Sequence, residues 1–198
     1  MTSADSLITV SICIVPIEFP DNSVIRLLAQ ELAAVFKRRV EIHRSSVDVT
    51  LAFDPFRQQY YSSALLKQLI DNPACQSNCK VLGVVNFDLF IPIFSYVFGE
   101  AQLEGRGAVV SNYRLSNQFF GAKPDPHLLL QRLVKEAVHE LGHTYGLAHC
   151  QYPGCVMTFS TSVEDIDDKN GRFCQSCADF LHRKKSAEFI EPIRAIAK

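Results

Sequence analysis

Residues 139–150 read HELGHTYGLAHC, and this stretch decides how the rest of the chain is read. His139 and His143 stand four apart, with Glu140 beside the first. Residues four apart share one face of a helix, so both imidazoles can reach one metal ion. Gly146 lets the chain turn sharply, and His149 can then swing back as a third ligand. Three neutral imidazoles with one open water position describe a catalytic zinc site rather than a closed structural one. Glu140 is the natural base for that water. A bare HExxH also arises by chance, as surface histidines on an amphipathic helix. The longer HExxHxxGxxH is far more specific, because several spacings must agree together.

Periodicity supports the motif independently. Asp125-Pro126 is a helix start, with Asp at the cap and Pro at the first position. Leu130, Val134, Ala137, Leu141 and Tyr145 form an apolar stripe, while Arg132, Glu136, His139 and His143 fall on another face. The active-site helix is therefore expected near residues 126–146. Gly142 lies inside it, at a cost of about 1 kcal/mol relative to Ala. Close packing beneath the metal site would explain that choice.

The remaining elements follow from the same rules. Ile8 to Phe19 reads as a strand, ended by Pro20 and Asp21. Asp21 caps a helix carrying Val24, Leu27, Leu28, Leu32 and Phe36, with Lys37, Arg38 and Arg39 at its C-terminal end. Val40 to His43 and Val47 to Phe53 look like short β segments, and Arg57 to Ile70 has helical periodicity. Lys80 to Val85 suits a buried strand. Tyr96 to Gln102 and Ala108 to Leu115 read as further strands around the turn Glu104 to Gly107. The chain after Gly146 reads as loop to Phe173, then as a helix from Cys174 to Phe189. This order predicts an α/β sandwich, with helices packed on one mixed sheet.

Composition sets outer bounds. A chain of 198 residues suits one domain with a full core. A formal net charge of −1 advertises neither nucleic acid nor an acidic membrane as partner. No apolar run is long enough to span a bilayer. Ile8 to Ile17 lacks the basic flank and cleavage site of a secretory leader, so a cytoplasmic, reducing location is expected. An odd count of seven cysteines argues against a disulfide framework.

Cys13 reads as a core thiol, and Cys75 and Cys79 have no ligand spacing. Cys150, Cys155, Cys174 and Cys177 all follow the histidine helix, the last two as CxxC. Four thiolates can hold a structural zinc; two disulfides, a redox CxxC and unligated thiols are the alternatives. Met157, the only methionine besides Met1, lies eight residues after His149. It is either a gap-filling core residue or a turn beneath the zinc histidines.

Taken together, HExxHxxGxxHC, four residues, CxM and a later CxxC resemble the archaemetzincins, a branch of the metzincin metallopeptidases. The match covers Val138 to Cys177; LGVVNFDLF, YVFGEAQ and Ser111 to Arg114 resemble the family more loosely. The resemblance implies one compact metzincin-like domain over residues 1–198. Its sheet would be mixed and mostly parallel with an antiparallel edge strand, and three main helices would pack on it. Residues 147–198 would form a zinc-braced C-terminal part. It implies two zinc ions (Zn2+): a catalytic one on His139, His143 and His149, and a structural one on Cys150, Cys155, Cys174 and Cys177. Glu140 would be the general base, and Met157, after the Gly146 turn, the Met-turn. Some metzincins carry a Tyr two residues beyond that Met; here Phe159 occupies the position.

The function expected is hydrolysis of peptide bonds by a monomer whose partner is a peptide or protein substrate. The peptide would lie extended along an edge strand near Tyr96 to Gln102. Two other readings stay open: a zinc- and peptide-binding protein that is latent or lacks efficient catalysis, and a zinc-ribbon interaction module. The last leaves the histidine helix unexplained.

Overall fold

The computed structural model describes residues 11–44, 47–71 and 78–184. The first strand, β1 (Ile12–Pro16), places Ile12 and Ile14 on one face and Cys13 and Val15 on the other, all buried. Burial on both faces is the mark of a central strand between two layers. Helix α1 (Asn22–Phe36) follows, and the Asp21 carboxylate caps it by accepting the N–H groups of Ser23 and Val24 at 2.8 and 3.3 Å. Strand β2 (Val40–Ile42) then pairs with β1 in parallel.

Next come two short strands, β3 (Phe53–Asp54) and β4 (Gln59–Tyr61), and helix α2 (Ser62–Ile70). Strand β5 (Lys80–Val85) precedes β6 (Leu89–Ile91), β7 (Phe94–Val97), β8 (Gly99–Ala101) and β9 (Gly107–Ser111). The C-terminal part holds α3 (Pro126–Thr144), α4 (Val163–Asp167) and α5 (175–184).

The main sheet has the order β2-β1-β5-β9-β8. Its first four strands run parallel, and β8 is antiparallel to β9 at the edge, as expected for a mixed sheet. Helices α1 and α3 cover one face, where Leu28, Leu32, Leu133, Ala137 and Leu141 meet Ile12, Ile14, Leu82, Val84 and Val110. Helix α2 covers the other, where Leu65 and Leu69 meet Cys13, Val15, Val81 and Val109. The period-2 alternation along β1, β5 and β9 thus divides one sheet between two cores. A second sheet of order β3-β4-β6-β7 flanks it.

Four expectations are corrected. Residues 57–61 are not helical: the Asp54 carboxylate accepts the N–H groups of Phe56 and Arg57 at 2.9 and 3.1 Å, and this turn sends the chain back as β4. The segment after Val47 forms a single 3-10 turn, Val49–Ala52, because Asp48 caps it through Thr50. The expected strand Tyr96 to Gln102 is broken at buried Phe98, so β7 joins the small sheet and β8 the main one. The expected loop up to Phe173 contains α4, started by a capping box of Ser162 and Asp165. Cys75, the first residues of the first strand and the end of the last helix lie outside the described residues. Among the described residues no helix is long and apolar enough to cross a membrane.

Candidate active site

Helix α3 begins as its sequence requires, with Asp125 accepting the Leu128 N–H at 3.0 Å and Pro126 in the first turn. It ends at Gly146, whose φ of +94° is open to glycine and costly for other residues. There the Gly146 N–H donates to the His143 carbonyl at 2.8 Å and the Leu147 N–H to the Gly142 carbonyl at 3.1 Å. This pair of bonds is a Schellman turn, which satisfies carbonyls left over at the helix end. From Lys80 on β5 the ammonium also donates to the Thr144 carbonyl at 2.8 Å, fixing the helix end over the sheet.

The turn brings His149 back to His139 and His143, with ring centroids 4.7 to 5.4 Å apart. One nitrogen from each ring lies within 4.8 Å of the others. His139 Nδ1 is 2.8 Å from the Val156 carbonyl and His143 Nδ1 is 2.7 Å from the Leu147 carbonyl. A carbonyl only accepts, so each Nδ1 carries the proton and each Nε2 presents a lone pair. These two Nε2 atoms face one another at 3.1 Å with no proton between them. Two lone pairs at that distance repel unless a cation lies between, and tetrahedral zinc places its nitrogens about 3.3 Å apart. Burial also lowers the pKa of all three imidazoles, most strongly for His139, and so favours the neutral, ligating form.

Glu140 projects beside them and is buried. Burial raises its pKa well above the ordinary carboxylate value, with Glu136 and Glu100 adding to the rise and Lys169 opposing it. Its side chain lies against Gly99 on β8: a Cβ there would fall 2.7 Å from Glu140 Cγ and Oε1. Gly99 was missed from sequence, although a glycine inside a strand is a signal of close approach.

The cysteines form the second cluster. Cys150, Cys155, Cys174 and Cys177 bring their four sulfurs within 4.8 Å of one another. Cys150 to Cys174 is 3.8 Å and Cys155 to Cys177 is 3.9 Å, far beyond a disulfide bond. Those lengths match the roughly 3.8 Å edges of a tetrahedral four-thiolate zinc site. Backbone N–H groups of Tyr152 and Cys174 point at Cys150 and Cys155 sulfurs at 3.4 and 3.3 Å, as suits thiolate acceptors. A backbone hydrogen bond within the CxxC lowers Cys174 to about 7, while burial pushes Cys155 and Cys177 up.

Met157 joins the two clusters. Its carbonyl accepts the Cys150 N–H at 2.9 Å, and its fully buried side chain lies under Gly142. The helix glycine is thus explained: a Cβ at 142 would fall well inside contact with Met157 Sδ and 3.1 Å from Cε. The polar face of α3 holds the segment that follows. Arg132 grips Asp167 with two bonds of 2.7 and 2.6 Å. Glu136 pairs with Lys169 at 3.2 Å, both almost fully buried. Lys169 carried no sequence signal, since an isolated lysine in a loop reads as solvated.

These elements enclose a cleft of about 420 Å³. Glu136, His139, Glu140 and His143 form its floor, the edge from Phe94 to Gly99 one wall, and His149 with Phe159 to Thr161 the other. The Phe159 ring packs on His149 at 5.0 Å and offers no hydroxyl.

The packing of Gly142 makes a prediction. Gly142→Ala gains about 1 kcal/mol of helix propensity but forces a filled core apart, so a net loss of roughly 1–2 kcal/mol is expected. Thermal unfolding checks it; an unchanged or raised Tm would show that Met157 is not held as described.

Comparison with known proteins agrees with this geometry. Residues 25–183 match the model for peptidase family M54. The archaemetzincin of Methanocaldococcus jannaschii is 36% identical over 166 residues, which cover 84% of this chain and 89% of that one. The archaemetzincin of Methanopyrus kandleri is 44% identical over 132 residues, 67% of this chain and 71% of its own. Its crystal structure superposes with a TM-score of 0.76 at 35% identity, covering 88% of this chain and 94% of that chain. A zinc-dependent peptidase from Methanocorpusculum labreanum superposes with a TM-score of 0.79 at 31% identity, covering 86% of this chain and 100% of that one. Two histidines and a glutamate on one helix, a third histidine returned to them by the turn that ends it, the C-terminal cysteine cluster and these matches together mean that the chain belongs to peptidase family M54, the archaemetzincins, and is a metallopeptidase of the zinc-dependent kind.

Proposed function

We propose that this chain hydrolyses peptide bonds with one zinc ion on His139, His143 and His149, braced by a second on Cys150, Cys155, Cys174 and Cys177. The observation that carries the reading is the apposition of the two Nε2 lone pairs at 3.1 Å beside the Glu140 carboxylate, on the floor of a cleft. When bound, the first zinc supplies Lewis acidity, polarising a scissile carbonyl and making water more acidic.

The chain's own groups do the rest. The edge running through β7 and β8 offers backbone groups to an extended peptide and sets the scissile bond above α3. Glu140 takes a proton from the attacking water and passes it to the departing amine. Its buried place on the cleft floor, beside His139 and His143, puts the carboxylate where that transfer is made. Gly99 leaves room for the carboxylate and nothing more. The Val156 and Leu147 carbonyls hold two imidazoles in the ligating tautomer. A reducing, cytoplasmic setting would keep the four thiols as ligands.

Three outcomes are expected. Glu140→Ala should lower kcat by at least about 10²-fold with zinc retained, and undiminished peptidase activity would remove the base assignment. Gly99→Ala would press on both the Glu140 side chain and the Val109 carbonyl, each 2.7 Å from the added Cβ, and should cut kcat/KM by about tenfold or more at unchanged metal content. Protein purified under reducing conditions should carry zinc at both ligand groups. Elemental analysis finding a single ion per chain would overturn the two-zinc reading, and loss of that ion on replacing His139 and His143 would exclude the cysteine site.

A further inference from the structure

Across the mouth of the cleft the Tyr96 hydroxyl donates to the Thr161 carbonyl at 2.7 Å. Tyr96 belongs to the strand-edge wall and Thr161 to the opposite wall, and both line the cleft. We infer that Tyr96 is a specificity-determining residue, whose bridge to Thr161 restricts how far a peptide can extend along the 94–101 edge. The inference rests on the peptidase reading above and adds to it a selection by chain length.

Both ends of the bridge are anchored. The Tyr96 ring stacks on the Arg114 guanidinium at 4.1 Å and meets the Phe98 ring edge-on at 5.5 Å. Arg114 in turn holds Asp88 with two bonds of 2.6 and 2.7 Å. On the other side, Thr161 gives its N–H and its hydroxyl to Asp165 at 2.7 and 2.9 Å. Helix α4, which carries Asp165, is tied to α3 through Arg132 and Asp167. Two fixed posts joined by one bond make a fence rather than a passing contact.

A peptide lying along the edge fills the space between the two walls, and the bridge crosses that space at Tyr96. A chain that ends before Tyr96 reaches the floor with the bridge closed. A chain that continues must first open it. The bond is a single neutral one at the surface, so opening is possible and the selection is graded. Substrates that place a chain end near Tyr96, such as short peptides, are therefore favoured over the interior of a long polypeptide.

The test uses zinc-loaded full-length protein and peptides sharing one cleaved sequence, extended by several residues at either terminus. The readout is the kcat/KM ratio of extended to unextended peptide. Tyr96→Phe keeps the ring contacts and removes the bridge, and should raise that ratio about three- to tenfold for extension at one terminus. Asp165→Asn loosens the far post and should move the ratio the same way. An unchanged or lowered ratio in Tyr96→Phe overturns the inference, as does a shift seen with Asp165→Asn alone. Fluorescence anisotropy of the same peptides on zinc-loaded Glu140→Ala protein, with and without Tyr96→Phe, reads the fence without turnover. Binding that depends on the bridge, when the zinc-loaded protein with Glu140 intact cleaves none of these peptides, would end the catalytic reading and leave the fence standing. Binding indifferent to the bridge would end the fence alone.

Discussion

Two hydrogen bonds organise the C-terminal half of this protein: His139 to the Val156 carbonyl and His143 to the Leu147 carbonyl. Each uses the Nδ1 proton of an imidazole, so each fixes a tautomer and a ring plane at once. Each also ties α3 to a segment that follows it. Leu147 sits in the turn made by Gly146, and Val156 sits between Cys155 and Met157. The position of either carbonyl is therefore part of the site, though neither is a side chain that a motif would name.

Support for the Val156 carbonyl comes from the following loop and from buried charge. Val156 is itself held by a bond from its N–H to the Arg172 carbonyl at 2.9 Å. The segment from α4 to Lys169 is pinned by Arg132, Lys135 and Glu136, three charged residues of α3. A buried pair such as Glu136 with Lys169 adds little net stability, because desolvation offsets attraction, but losing one partner strands a charge. The pair joins the polar face of α3 to the far end of the segment that follows Met157.

How much of this was legible follows from where the information lies. The histidine spacing, the Asp125 cap, the Gly146 turn and the CxxC are local, and local periodicity describes them. Strands β1, β5 and β9 were legible as short apolar runs rich in Ile and Val, the composition of strands buried on both faces. Helical spacing at residues 57–61 misled because an aspartate turn and two tyrosines in a strand outweigh it. The break at Phe98 was hidden because both halves are strand; only pairing partners in different sheets distinguish them. Gly99 against Glu140, Gly142 against Met157 and Tyr96 against Thr161 join residues 15 to 65 positions apart. Such contacts depend on the fold and have no period to reveal them.

The adjacency of His149 and Cys150 has a thermodynamic consequence. One peptide bond separates a residue of the histidine cluster from a residue of the cysteine cluster, and the Cys150 N–H is anchored on the Met157 carbonyl. On the two-zinc proposal, an ion in one cluster would bear on the backbone that the other uses, and linkage is reciprocal: whatever factor one ion contributes to the affinity of the other would be returned in full.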